Sequence, residues 1–107
     1  MNKEIEDKKA PTPDGYIRID HTFVDRFAGD KEAKFEFLFK RPTKGAVDRA
    51  QGKMTKKPGS AFRNLCVSCV HEEDKDNMLT AFDDFPGLPT SFGNALLEAA
   101  GFGDLGN

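Results

Sequence analysis

Tryptophan is missing from this chain, tyrosine occurs once and cysteine twice, and no long apolar run appears anywhere along its 107 residues. Each shortage excludes something. Two cysteines separated by two residues give no disulfide framework of the kind that holds small secreted domains together. No stretch approaches the roughly 20 apolar residues of a membrane-crossing helix. The N-terminus is polar and charged, unlike a secretory signal. Charge of one sign is also lacking: 18 acids face 16 lysines and arginines, for a net charge of -2. A broad nucleic-acid surface would normally be strongly basic. These absences describe a soluble protein, with the cytosol as the expected compartment.

Phenylalanine is plentiful. There are ten, and with 37% apolar residues in a chain of this length they suffice for one domain with one modest core. Phe35, Phe37 and Phe39 alternate through Phe35-Glu36-Phe37-Leu38-Phe39, so on a strand they share one face. Pro42 ends that strand because it has no N–H for a ladder. Thr43 can then cap a helix by accepting a backbone N–H.

Upstream, residues 1–15 read as a charged, disordered tail. They hold too few apolar side chains to offset the entropy of ordering. Tyr16–Asp20 alternates as a short strand. Residues 21–28 admit two readings. In one, Asp20 caps a helix whose Phe23, Val24 and Phe27 share a face. In the other, an aromatic strand turns at Gly29-Asp30 into Ala33–Lys40. The second is preferred, because a lone strand at Phe35 leaves its backbone groups without partners.

Downstream the period becomes helical. Ala46, Val47, Ala50 and Met54 mark a short helix weakened by Gly45 and Gly52. Phe62, Leu65, Cys66, Cys69 and Val70 form the clearest amphipathic stripe. Asp74 is placed to cap a helix bearing Met78, Leu79 and Phe82. Pro86-Gly87 is the strongest turn signal, and a last helix is expected from about Thr90, with Phe92, Ala95, Leu96 and Ala99 on one side. Gly101 suits a left-handed helix end, with Phe102 folding back on Leu97. The expected fold is therefore α+β: a small antiparallel sheet or hairpin, then three to four packed helices, over residues 16–102, with a loose end at 103–107.

Chemistry-bearing patterns are few. Cys66-Val67-Ser68-Cys69 is a C-x-x-C, but a closed zinc site needs two more ligands, and only His71 is near. A redox pair usually sits at a helix N-terminus, whereas this one falls late in its helix. Two packed core thiols are the simpler reading, and no metal is expected. If that reading fails, Cys66, Cys69 and His71 are the ligand or redox candidates, and the chain becomes a small metal-binding or thiol-redox module. Arg49, Lys53, Lys56, Lys57 and Arg63 form a local basic patch that would serve a nucleic-acid-associated regulator. That reading sits poorly with the acidic balance. No phosphate-binding loop, dinucleotide glycine pattern or nucleophilic triad is present. Phe85-Pro86-Gly87-Leu88-Pro89 puts two large apolar side chains in a loop, where they either tuck under the fold or meet a partner.

The order of these pieces carries a family resemblance. Phe39-Lys40-Arg41-Pro42-Thr43, then Asp48-Arg49, Asn64-Leu65, the acidic turn Glu72-Glu73-Asp74, and finally Leu79, Pro86-Gly87-Leu88, Phe92-Gly93, Leu96-Leu97 and Gly101 resemble the small tail assembly chaperones of long-tailed bacteriophages and prophages. The resemblance implies a non-enzymatic protein of the host bacterial cytoplasm, without cofactor. It would bind the aggregation-prone tape-measure protein until tail-tube subunits polymerise around it, and homo-oligomers are compatible with that role. On this reading Phe85, Leu88, Phe92 and Leu96 are the expected client-facing patch.

Overall fold

A computed structural model describes residues 11–102. The tail expected at 1–15 therefore lies outside the described residues as far as residue 10, and so does the loose end at 103–107. Within the described part, a turn with Tyr16 N–H donating to the Pro13 carbonyl (3.1 Å) leads into the first strand.

The fold is α+β. Strands β1 (Tyr16–Asp25) and β2 (Lys31–Lys40) form an antiparallel hairpin. Four helices follow: α1 (Lys44–Lys53), α2 (Pro58–Cys69), α3 (Lys75–Asp84) and α4 (Leu88–Ala99). The strand reading of residues 21–25 is the one that forms. The register pairs Ile19 with Phe37 and His21 with Phe35, so the alternate residues of both strands make one apolar face. Gly29 (φ 74°) and Asp30 (φ 63°) close the turn in left-handed geometry. Such geometry suits glycine and is tolerated by aspartate.

The helices begin and end for local reasons. Thr43 Oγ1 accepts the Ala46 N–H (3.1 Å) and caps α1 as expected. Pro58 starts α2 one turn earlier than its apolar stripe suggests. At the far end of α4, Phe102 N–H donates to the Leu97 carbonyl and Gly101 N–H to that of Glu98, with Gly101 at φ 106°. This pair of bonds is the Schellman closure that the Gly101-Phe102 sequence signals.

Asp74 departs from expectation. Its side chain makes no helix cap. Instead Oδ2 accepts the Leu38 N–H at 2.8 Å, while the Leu38 carbonyl accepts the His71 N–H, also at 2.8 Å. The link between α2 and α3 thus closes the outer edge of β2, and Val70 bridges Phe39 there. A strand-edge N–H offers a carboxylate a charge-assisted bond, and that use wins over capping.

The core sits between the Phe face and the helices. Phe39, Phe92, Leu65, Met78, Leu96, Leu97, Cys66 and Cys69 are its most buried large side chains. Helices α2 and α4 meet at Gly93, where a Cβ would lie 2.8 Å from both Cβ and Cγ of Phe62.

Candidate functional site

Both thiols lie in the core, on the inward stripe of α2. Burial pushes the Cys66 thiol up to about 12, with the neighbouring Cys69 adding to the shift. Cys69 is also raised by burial, partly opposed by Ser68 and Lys40. A thiolate is the form that attacks disulfides or binds metal, and burial disfavours it. His71 faces another way: its ring meets Tyr16 edge-on (centroids 4.8 Å apart) and Nδ1 accepts the Glu73 N–H. Among the described residues no group of three His, Cys, Asp or Glu side chains is arranged to hold a metal.

The buried thiols give an alkaline signature. In the unfolded chain Cys66 ionises near 9, but in the fold only near 12. Its contribution to stability is thus complete below pH 9 and is lost as pH rises toward 12. Between those limits the slope is about 1.4 kcal/mol per pH unit. Comparing urea midpoints of the wild type and Cys66→Ala from pH 8 to 10.5 should show the wild type falling more steeply above pH 9. A thiol reagent at pH 8 should label neither cysteine until denaturant is added.

Three of the four residues expected to face a client are core residues. Leu88, Phe92 and Leu96 are no more than 2% exposed. Helix α4 starts at Leu88, not near Thr90, so these three sit four apart on its inward stripe. Phe92 packs against Phe37 (5.2 Å between centroids), Phe39 (6.0 Å) and Phe82 (6.2 Å). Phe85 alone of the four is half-buried and reaches the surface.

The surface it reaches is a cleft of about 660 Å³ between the hairpin tip and the α3–α4 corner. One wall is His21, Phe23, Val24 and Phe27; the other is Phe85, Pro86, Leu88 and Ser91. Phe23 stands edge-on to Phe85 at 5.1 Å, and Phe35 lies 5.5 Å from Phe85. Phe35 in turn stacks beside Phe37 at 6.4 Å. A continuous run of rings therefore leads from the core to the cleft.

At the tip the run ends in solvent. Phe27 is fully exposed and Val24 is 53% exposed. Phe27 sits in a single 3-10 turn, Arg26–Ala28, whose start is fixed by Asp25 Oδ1 accepting the Phe27 N–H at 3.1 Å. Sequence reasoning missed Phe27 as a site residue. It lies where the strand and helix readings of residues 21–28 competed, and only the strand reading leaves it at an uncovered turn.

Charge is distributed unevenly around this site. From α1 through α2, Lys44, Arg49, Lys53, Lys56, Lys57 and Arg63 face one acid, Asp48, which pairs with Lys44 at 3.1 Å. From the link before α3 to its end, Glu72, Glu73, Asp74, Asp76, Asp83 and Asp84 face one cation, Lys75. The cleft belongs to the acidic side. Asp25 and Asp84 line it, and Arg26 is paired with Asp30 at 3.5 Å. The basic patch lies elsewhere, and Arg49, Lys53, Lys56, Lys57 and Arg63 are exposed there.

Comparison with known proteins now places the chain. Residues 17–107 match a family described as a domain of unknown function, DUF6848. The chain belongs to the DUF6848 family. Among solved structures, an uncharacterised protein from Bacillus stearothermophilus, rbstp2171, is similar, with a TM-score of 0.62 and 25% sequence identity. That likeness covers 94% of this chain and 92% of the other. No curated protein matches. The DUF6848 match begins within β1 and so takes in the hairpin, the cleft and all four helices. Among the described residues no helix is long and apolar enough to cross a membrane.

Proposed function

We propose that this DUF6848 protein is a tail assembly chaperone of a phage or prophage, acting in the host cytoplasm without catalysis. It would hold the tape-measure protein soluble until tail-tube subunits enclose it. The order of sequence pieces described above supports the family reading. The observation that carries the binding reading is Phe27, a fully exposed ring at the lip of an aromatic cleft. Large apolar side chains left in water at a concave surface mark contact with another protein. The cleft replaces the patch expected from sequence: its contact residues are Phe23, Val24, Phe27 and Phe85, with Leu88 as the floor.

The acidic lining narrows the client. An amphipathic helix laid in an apolar groove presents anchors at helical spacing. Asp25 and Asp84 at this groove favour a client helix flanked by lysine or arginine. Many such sites along a filament-like client allow each contact to be weak, because repeated binding raises the overall affinity.

The experiment is co-expression with the long helical protein that this reading expects to be encoded directly downstream, as the tape-measure protein. The wild type should keep that protein in the soluble fraction. Phe27→Asp combined with Phe85→Asp should lose this effect, with the helical circular dichroism unchanged and client affinity reduced by about tenfold or more. A wild type that neither binds nor solubilises the tape-measure protein would end the proposal. A double variant that still does so would move the site elsewhere.

A further inference from the structure

The basic and acidic segments of this chain occupy opposite ends of its helical layer. In that layer α1 packs on α2, α2 on α4, and α4 on α3. The cations of α1, α2 and their link therefore stand at one end, and the acids before and along α3 at the other, with α4 between them. Neither end neutralises itself. Lys44 pairs with Asp48, and the Asp74 carboxylate accepts the Leu38 N–H. Arg49, Lys53, Glu73 and Asp76 are exposed and enter no ion pair among the described residues. Arg49 and Lys53 even stand four apart on α1, a like-charge spacing that weakens a helix taken alone.

The basic end is also concave. A cleft of about 230 Å³ opens between α1 and α2, with Arg49 and Lys53 on one rail and Asn64 and Ser68 on the other. Its floor includes Ala46 and Ala50, whose short side chains keep it open. Cations on one side and hydrogen-bonding groups on the other suit carboxylates carried on a convex surface. The start of α3 is such a surface: Glu72, Glu73 and Asp74 form a single 3-10 turn that runs directly into the helix bearing Asp76.

We infer that copies of this chain associate head to tail, with the acidic start of α3 in one copy seated on the α1–α2 cleft of the next. The spacings match. Glu73 and Asp76 are three residues apart, and Arg49 and Lys53 four, so each pair spans about one helical turn of roughly 5 Å. Two ion pairs can therefore form in one register. The two surfaces lie at opposite ends of the layer, so a single contact leaves each copy with one end unused. Association of this kind is heterologous and continues beyond the dimer. Exposed ion pairs are individually weak and are screened by salt, so the assembly is concentration-dependent and dissolves as ionic strength rises. Asp84, which lines the Phe27 cleft, is at the far end of α3. The pairing leaves that cleft open and is independent of the client proposed above.

Sedimentation equilibrium of the full chain, at about 50 mM and about 500 mM salt, tests this. At low salt the wild type should show a mass that rises with concentration well above the 11.8 kDa of the monomer, and at high salt it should return to the monomer. Arg49→Glu combined with Lys53→Glu makes both ends acidic and should abolish association. Glu73→Lys combined with Asp76→Lys makes both ends basic and should abolish it too. All four side chains are exposed, so the circular dichroism should not change. An equimolar mixture of the two variants again opposes unlike charges and should associate at low salt. If Asp76→Lys fails to fold, Glu72→Lys combined with Glu73→Lys takes its place. A wild type that is monomeric at low salt overturns the inference. So does either variant associating alone as the wild type does, or a mixture that stays monomeric. A monomeric wild type that instead binds a duplex oligonucleotide with steep salt dependence would give the basic end to nucleic acid, and also overturns it.

Discussion

Phe92→Ala is expected to cost about 3–5 kcal/mol of folding stability and to lower the melting temperature by well over 10 °C. The ring is completely buried and is the hub between sheet and helices, touching Phe37, Phe39 and Phe82. Truncation removes the transfer energy of the ring and leaves a cavity that rigid neighbours on the two strands and on α3 cannot fill. A domain of this size has a total stability of about 5–15 kcal/mol, so the loss is a large share of the whole. Phe27→Ala, by contrast, should change the melting temperature very little, because its ring touches water in the fold as it does unfolded. Thermal melts followed by circular dichroism make the comparison. A Phe92→Ala protein as stable as the wild type would show that this ring is not the hub its burial implies.

That contrast divides the phenylalanines by purpose. Phe37, Phe39, Phe62, Phe82 and Phe92 hold the fold together, and each is nearly inaccessible. Phe23, Phe35 and Phe85 join the core to the cleft, and Phe27 stands free at its rim. Much of this was legible in the chain. Strict alternation at Phe35, Phe37 and Phe39 required a strand with one buried face, and that strand needed the partner found at Tyr16–Asp25. The stripe through Phe62, Leu65, Cys66 and Cys69 placed the thiols inward. Glycine and phenylalanine at 101 and 102 gave the helix end.

The exposed aromatic cleft was not legible, for two physical reasons. Pro86-Gly87 marks a turn but does not say which residue first joins the next helix. Starting α4 at Leu88 brings Leu88, expected in the loop, onto the same buried stripe as Phe92 and Leu96. The cleft itself is built from residues about sixty apart in sequence, Phe23 to Phe27 against Phe85 to Ser91. No local period relates those segments. Asp74 teaches the same lesson: its local position favours a helix cap, and its distant neighbour Leu38 offers the better bond.

The second large effect is expected at Gly93, where the two longest helices, α2 and α4, meet against Phe62. A Cβ built there would fall 2.8 Å from Cβ and Cγ of Phe62 and against its Cδ1 as well. Gly93 has ordinary helical geometry, so alanine would by helix propensity alone stabilise α4 by about 1 kcal/mol. The clash reverses that sign. Phe62 is buried and cannot rotate away without opening the core, so α2 and α4 must part by several tenths of an ångström. Overpacking of this kind costs about 1–3 kcal/mol, and Gly93→Val should cost more. The cause can be isolated with a double-mutant cycle measured by urea unfolding. Phe62→Ala removes the two ring contacts and keeps the Cβ contact. The double variant Phe62→Ala/Gly93→Ala should therefore be more stable than the sum of the single losses, by about 0.5–3 kcal/mol. Strict additivity would mean that the helices are not held apart by this contact, and that glycine serves some other need at the position.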